Sequence, residues 1–309
     1  MRSAAKAPAL LLLLCGLIGL AATTAEARQD RPRLRAIAQR LQEKRAGDER
    51  PVDLQAIAPG ARKLTQSYGT DDRQQIDIYL PPNAKNAPIL VMVHGGAWKL
   101  GDKANAGVIE NKLKHWLPKG FIVVSVNYRL LPEAMADEQA RDVAEAVKWV
   151  QAYAEDWGGS EQKIILMGHS AGAHLVALLS ARPEQVGRPW AGTVVLDSAV
   201  LKVSDVMGKP HQGFYDEAFG SDPAAWAAVS PMDQWSPAAV PMMLVCSSQR
   251  PDRPCAAAEA FQAKARAAGR PMPVLPQALS HGEINQTLGL DSPYTAAVDA
   301  FIAGRLGRR

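Results

Sequence analysis

The residues whose types and spacing could do chemistry begin at Gly168-His169-Ser170-Ala171-Gly172. This is a G-x-S-x-G turn between an apolar run (Ile164 to Met167) and an Ala/Leu-rich run that follows Gly172. A serine lifted out between a strand and a helix takes a strained backbone conformation. The residues two before and two after it must be small, so that strand and helix can close around it. The helix start just after Ser170 aims free N–H groups and the positive end of its dipole at whatever the serine attacks. The chemistry is nucleophilic attack on an electrophilic carbonyl.

A serine hydroxyl is a weak nucleophile and needs a base. In the chain order serine, acid, histidine, the base must come late and follow an acid. His281 meets that condition. His94 opens a glycine loop and is expected to brace it. His169 sits inside the turn, with its side chain expected to point away from the nucleophile. His115, His174 and His211 fall on helices or in an irregular stretch. The acid orients the histidine and stabilises its charged form. Between Ser170 and His281 the acids at strand ends are Asp197, Asp205 and Asp252. Asp252 follows a strand predicted over 242–246 and is the first choice, with Asp197 in reserve. Acyl transfer also needs donors for the oxyanion. The N–H of Ala171 is one. The others are assigned to Gly95, Gly96 and Ala97, where small residues let the backbone approach a substrate. No cluster of His, Cys or Asp has zinc spacing, so no metal and no cofactor is expected.

The surrounding elements must bring these residues together. The chain has 309 residues, 47% apolar and 21% charged, with a net charge of +4. Those values describe one large globular domain or two small ones. No basic stretch with interleaved aromatics supports nucleic-acid binding. Strands are predicted over 63–68 and 76–80. Continuous apolar runs over 89–93, 121–126, 164–167, 193–196 and 242–246 read as strands buried on both faces. Helices are predicted over 105–117, 139–153, 256–268 and 295–306, and a last short strand over 271–275. Alternating buried strands and helices imply a mostly parallel sheet covered on both faces. Ligands then bind at the carboxyl ends of the strands. His94 to Trp98, Ser170, Asp197, Asp252 and His281 all fall at such ends. Residues 198–240 break the rhythm and are rich in aromatics, Met and Pro (Phe214, Tyr215, Phe219, Trp226, Met232, Trp235). Such an insertion often forms a lid or substrate wall.

The amino terminus carries Arg2 and Lys6, an apolar stretch from Ala9 to Leu20, and Ala25-Glu26-Ala27. That is the pattern of a secretory signal peptide over 1–27, cut after Ala27, with an apolar core too short for a stable membrane anchor. Residues 28–60 form a basic lead-in, and 61–309 the domain. Export makes Cys246 and Cys255, the two cysteines left after cleavage, an expected disulfide. The bridge would clamp the Asp252 loop.

His94-Gly95-Gly96-Ala97-Trp98, Asn127-Tyr128-Arg129 with Pro132-Glu133, Gly168 to Leu175, and Ser280-His281 with Ile284-Asn285 and Leu288-Gly289 together resemble the α/β-hydrolase superfamily. Within it they are similar to hormone-sensitive-lipase-like carboxylesterases, to feruloyl- and acetyl-xylan-esterase-like proteins, and to arylformamidases. The resemblance covers roughly residue 63 to the carboxyl terminus. It implies an α/β-hydrolase fold, Ser170 as nucleophile, His281 as base, Asp252 as acid, and Ala171 with the Gly95-Gly96-Ala97 loop as oxyanion donors. Many relatives have a third glycine in place of Ala97. The acid loop, Ser248-Gln249-Arg250-Pro251-Asp252, also departs from the usual Gly-x-x-Asp. The expected activity is hydrolysis of a small ester with an apolar or aromatic group by a periplasmic or extracellular enzyme. An arylformamidase, a non-catalytic binding protein and a peptidase on the same fold are the alternatives.

Overall fold

The structure, a computed structural model, describes residues 50–198 and 200–307. The expected signal peptide and most of the lead-in lie outside the described residues. One sheet of eight strands organises the domain, in the order β1-β2-β4-β3-β5-β6-β7-β8. The strands are β1 Arg62–Ser67, β2 Gln75–Leu80, β3 Ala87–Val93, β4 Ile122–Val126, β5 Gly159–His169, β6 Gly192–Leu196, β7 Met242–Ser247 and β8 Val274–Gln277. β1 and β2 run antiparallel to their neighbours, and every pairing from β4 to β8 is parallel.

The period-two geometry of a strand divides the apolar runs between two cores. In β3, Ile89, Val91 and Val93 face one side with Val143, Val147 and Val150 of the helix Ala136–Tyr153 and Leu175 of the helix Ala171–Ala181. Leu90 and Met92 face the other, with Ile109, Leu113 and Trp116 of the helix Ala106–Trp116 and Val298 and Ile302 of the helix Pro293–Arg305. This is why β3, β4, β6 and β7 are wholly buried and largely apolar, with Ser125, Thr193 and Ser247 as polar exceptions. Burying a large aliphatic side chain contributes about 1.5–3 kcal/mol, so central strands of this kind make a rigid base for the loops at their carboxyl ends.

The last strand begins later than the expected 271–275. Pro271 and Pro273 offer no N–H, and the β7–β8 ladder starts with Val274 opposite Leu244. The insertion after β6 forms short helices, Val203–Met207, Gly213–Phe219, Pro223–Trp226 and Pro231–Gln234. Ser230 Oγ accepts from the N–H of Val203 at 2.9 Å and ties the insertion to itself, while His174 Nε2 donates to the Val229 carbonyl at 2.8 Å and pins it to the scaffold.

Candidate active site

Ser170 stands between β5 and the helix Ala171–Ala181 with φ +57° and ψ −118°. A non-glycine residue there stores about 1–3 kcal/mol of strain, which the packing around it must overcome. The flanking glycines show how close that packing is. A Cβ on Gly168 would lie 2.4 Å from the Gly172 carbonyl oxygen, and one on Gly172 would lie 2.4 Å from the carbonyl oxygens of both Val93 and His94. The N–H of Ser170 donates to Leu196 O at 3.0 Å and ties the turn to the end of β6.

His281 opens the helix His281–Gln286, capped by Ser280 and Glu283 in a reciprocal box. Its Nε2 is 2.9 Å from Ser170 Oγ. Its Nδ1 is 2.6 Å from Oδ2 of Asp197, not of Asp252. The expectation for Asp252 is thereby corrected. Asp252 is exposed and held in a two-pronged ion pair by Arg250, whose Nε donates to Oδ1 at 2.9 Å and whose Nη2 donates to Oδ2. Two residues of separation let the Arg250 fork close on that carboxylate and keep it from the imidazole. The reserve acid is the one in place. Asp197 has φ +57° at the end of β6, and its side chain is fully buried. It also accepts from Ser247 N at 2.7 Å and from Arg250 Nη1 at 2.8 Å. Burial pushes the Asp197 pKa up, but the hydrogen bonds from His281, Arg250 and Ser247 outweigh it and hold the carboxyl below the usual aspartate value.

The glycine loop after β3 lies against Ser170. A Cβ on Gly95 would fall 2.8 Å from Ser170 Cβ and 2.8 Å from His169 O. Gly96 and Ala97 have φ of +127° and +53°. Their N–H groups, and that of Ala171, donate to no acceptor within the described chain, so they are available to an oxyanion. The loop is braced from behind. The His94 ring stacks on Tyr128 at 4.6 Å, its Nδ1 donates to Gly95 O at 2.8 Å, and Tyr128 Oη donates to His94 O at 2.9 Å. Burial lowers the His94 pKa to about 4, which keeps the brace neutral. The Trp98 carbonyl accepts from Leu131 N at 2.9 Å and from Gln139 Nε2 at 2.8 Å.

His169 departs from expectation. Its Nε2 donates to the carbonyl of His281 at 2.9 Å, and the two rings are 4.5 Å apart. Burial and the neighbouring His281 lower its pKa to about 3, so it is a neutral donor that fixes the backbone of His281. A second support went unread in the sequence. Lys112, fully buried, donates from Nζ to O and Oδ1 of Asn285, one turn beyond His281, at 2.8 and 2.9 Å. Burial without an acidic partner lowers its pKa to about 7. A lysine within the apolar stripe Ile109, Leu113, Trp116 was the available signal.

Cys246 and Cys255 form a disulfide in the structure, across the loop that carries Arg250 and Asp252. In the insertion, Phe214, Tyr215 and Phe219 gather around Trp98 with ring centroids 6.3, 5.8 and 4.9 Å away. They place an aromatic wall directly beyond the glycine loop. Among the described residues no cluster of His, Cys, Asp or Glu could hold a metal ion, and no helix is long and apolar enough to cross a membrane.

The chain is similar in sequence and in fold to known proteins. A family model described as BD-FAE matches residues 76–205, which span β2 through the start of the insertion. The esterase LipQ of Mycobacterium tuberculosis is 29% identical over 222 residues, covering 65% of this chain and 52% of that protein. A probable isoprenylcysteine alpha-carbonyl methylesterase of Arabidopsis thaliana, ICMEL1, is 33% identical over 111 residues, covering 36% of this chain and 23% of that one. The chain therefore matches between about a quarter and about half the length of these curated relatives. Among solved structures, esterase 2 of Thermogutta terrifontis superposes with a TM-score of 0.66 at 21% identity, over 80% of this chain and 95% of that one. With its mixed eight-stranded sheet and the serine elbow after β5, the chain has the α/β-hydrolase fold, and the proteins it is similar to include esterases.

Proposed function

We propose that this protein is a serine hydrolase of carboxylic esters, acting through an acyl-enzyme. The observation that carries the reading is the unbroken relay Ser170 Oγ, His281 Nε2, His281 Nδ1, Asp197 Oδ2, with contacts of 2.9 and 2.6 Å on either side of the imidazole. Ser170 Oγ attacks the ester carbonyl while its proton passes to His281 Nε2. The carbonyl oxygen takes up the negative charge and is met by the N–H of Ala171 and of Gly96 or Ala97. The imidazolium, held by Asp197, returns the proton to the leaving alcohol. Water then attacks the acyl-enzyme with the same histidine as base, releasing the acid and restoring Ser170. The aromatic wall at Trp98, Phe214 and Tyr215 favours an apolar or aromatic group on the ester. That the related Thermogutta esterase 2 is phosphonylated by sarin fits a nucleophile of this kind. Arg2, Lys6, the apolar stretch from Ala9 to Leu20 and Ala25-Glu26-Ala27 support export from the cytoplasm, and amino-terminal sequencing of the protein recovered from its native compartment tests cleavage after Ala27.

A panel of p-nitrophenyl esters together with N-formylkynurenine, assayed with Ser170→Ala as control, tests the reading. Turnover of esters that vanishes in Ser170→Ala supports it. Faster turnover of the formamide replaces it with an arylformamidase, and absence of Ser170 labelling by a fluorophosphonate replaces it with a non-catalytic binding protein.

A further inference from the structure

The relay leaves one charged neighbour unused. The loop between β7 and the helix Pro254–Ala267 is bracketed by the disulfide partners Cys246 and Cys255, and it carries Arg250. Nη1 of Arg250 lies 2.8 Å from Asp197 Oδ2, 3.1 Å from the Asp197 carbonyl oxygen and 2.8 Å from His281 Nδ1. The other edge of the same guanidinium holds Asp252. A cation thus stands between the buried carboxylate of the relay and an exposed one outside it.

His281 Nδ1 carries at most one proton, and two partners meet there. With that proton, Nδ1 donates to Asp197 and the guanidinium is an adjacent positive charge. Without it, Nδ1 accepts from Arg250, and the ring proton sits on Nε2, where it blocks acceptance of the proton of Ser170. In both arrangements Arg250 weighs against the imidazolium, because it repels that charge and shares the carboxylate oxygen that would stabilise it. Asp252 works in the opposite sense by neutralising part of the guanidinium. We infer that Arg250 is a positioning residue that sets how readily the imidazole between Ser170 and Asp197 takes up a proton, with Asp252 as its counterweight and the disulfide-closed loop as its mount. This rests on the assignment of Ser170, His281 and Asp197 as the relay.

Other charged and titratable groups surround the pair. His169 faces His281 from β5, and Lys112 lies beneath the helix His281–Gln286. Tyr215 from the insertion feels both Asp252 and Arg250, Tyr294 from the helix Pro293–Arg305 feels Asp197, and Glu283 caps the His281 helix. Changes at Arg250 or Asp252 leave all of these in place, so their influence is common to every variant compared.

The test uses the full chain as wild type, Arg250→Gln, Arg250→Lys and Asp252→Asn. Two quantities are followed against pH: the rate of Ser170 labelling by a fluorophosphonate, and the His281 ring titration by nitrogen NMR, assigned with His281→Asn. In Arg250→Gln, the acid limb of labelling and the ring midpoint should both rise by roughly 0.5–1 pH unit. Labelling near pH 5.5 should then fall roughly three- to ten-fold, while labelling near pH 8.5 stays within about three-fold. Asp252→Asn should move both downward, and Arg250→Lys should restore most of the wild-type profile. Shifts that are absent, or that share one sign in Arg250→Gln and Asp252→Asn, overturn the inference. So does a uniform loss of labelling at every pH with an unmoved ring titration, the mark of a merely structural arginine. Should Arg250→Gln fail to fold, Asp252→Asn, which alters an exposed side chain, carries the test by the sign of its shift. Should the wild type not label at all, the catalytic reading falls, while the ring titration still decides the claim about Arg250.

Discussion

Replacing Asp197 by Asn separates the two acids most sharply. The Asp197 carboxylate is fully buried and serves three donors: Ser247 N at 2.7 Å on Oδ1, and His281 Nδ1 and Arg250 Nη1 at 2.6 and 2.8 Å on Oδ2. Asn can keep its single oxygen on Ser247, which turns its NH2 toward Nδ1 and Arg250. Only a bare Nδ1 can meet that NH2, so the ring proton moves to Nε2 and His281 can no longer accept from Ser170. A tautomer fixed the wrong way lowers kcat roughly 10⁴-fold, about 5 kcal/mol at 1.36 kcal/mol per decade. Asp252→Asn breaks only a partly exposed ion pair, worth about 0.2–1 kcal/mol, so turnover near pH 8 should change less than about five-fold. Hydrolysis of a short-chain p-nitrophenyl ester, normalised to folded protein by circular dichroism, measures both. The reasoning is refuted if Asp252→Asn loses more activity than Asp197→Asn, or if Asp197→Asn stays within ten-fold of wild type.

Three further outcomes can be checked by unfolding. Gly172→Ala should destabilise by about 1–3 kcal/mol in urea, because its methyl would lie 2.4 Å from two backbone oxygens of the β3 end that cannot yield without moving the glycine loop; an unchanged urea midpoint would count against the elbow packing. Removing the Cys246–Cys255 bridge, whose ends are 9 residues apart, should cost roughly 2–3 kcal/mol by loop closure; thiol counting under denaturing conditions shows whether the bridge is present, and two free thiols would remove its basis. Lys112 has a folded pKa lowered to about 7 by burial, below its unfolded value of about 10.4. The unfolded chain therefore binds more protons between those values, and stability rises with pH across that window by up to about 1.4 kcal/mol per unit. The stability difference between wild type and Lys112→Met, followed by urea melts from about pH 7 to 10, should grow in favour of wild type by that slope; a flat difference would mean that Lys112 is charged in the native state.

The main elements were legible because their signals are local. Apolar runs such as Ile89 to Val93 have a single solution when both faces are covered, and β3 lies there. The elbow was legible because Gly168 and Gly172 answer a contact that no larger residue survives. His281 followed from chain order. Harder to see were residues whose role is to touch something distant in sequence. His169 supports His281 from 112 positions away, and Lys112 reaches Asn285 across 173. The His169 ring was expected to point away from the nucleophile, and the elbow instead turns it under the histidine loop.

The sequence by itself determined the alternation of strands and helices, the strained serine, the late histidine and the glycine loop after β3, since each depends on residue types within a few positions. Only the tertiary structure decided which carboxylate meets the imidazole. Asp197 and Asp252 both follow sheet strands that end at the same edge, and no spacing distinguishes them. The choice comes from three dimensions at once. Asp197 ends β6 with a left-handed backbone that turns its carboxylate inward onto the N–H of Ser247, while Arg250, placed by the neighbouring β7 loop, draws Asp252 out to its far side.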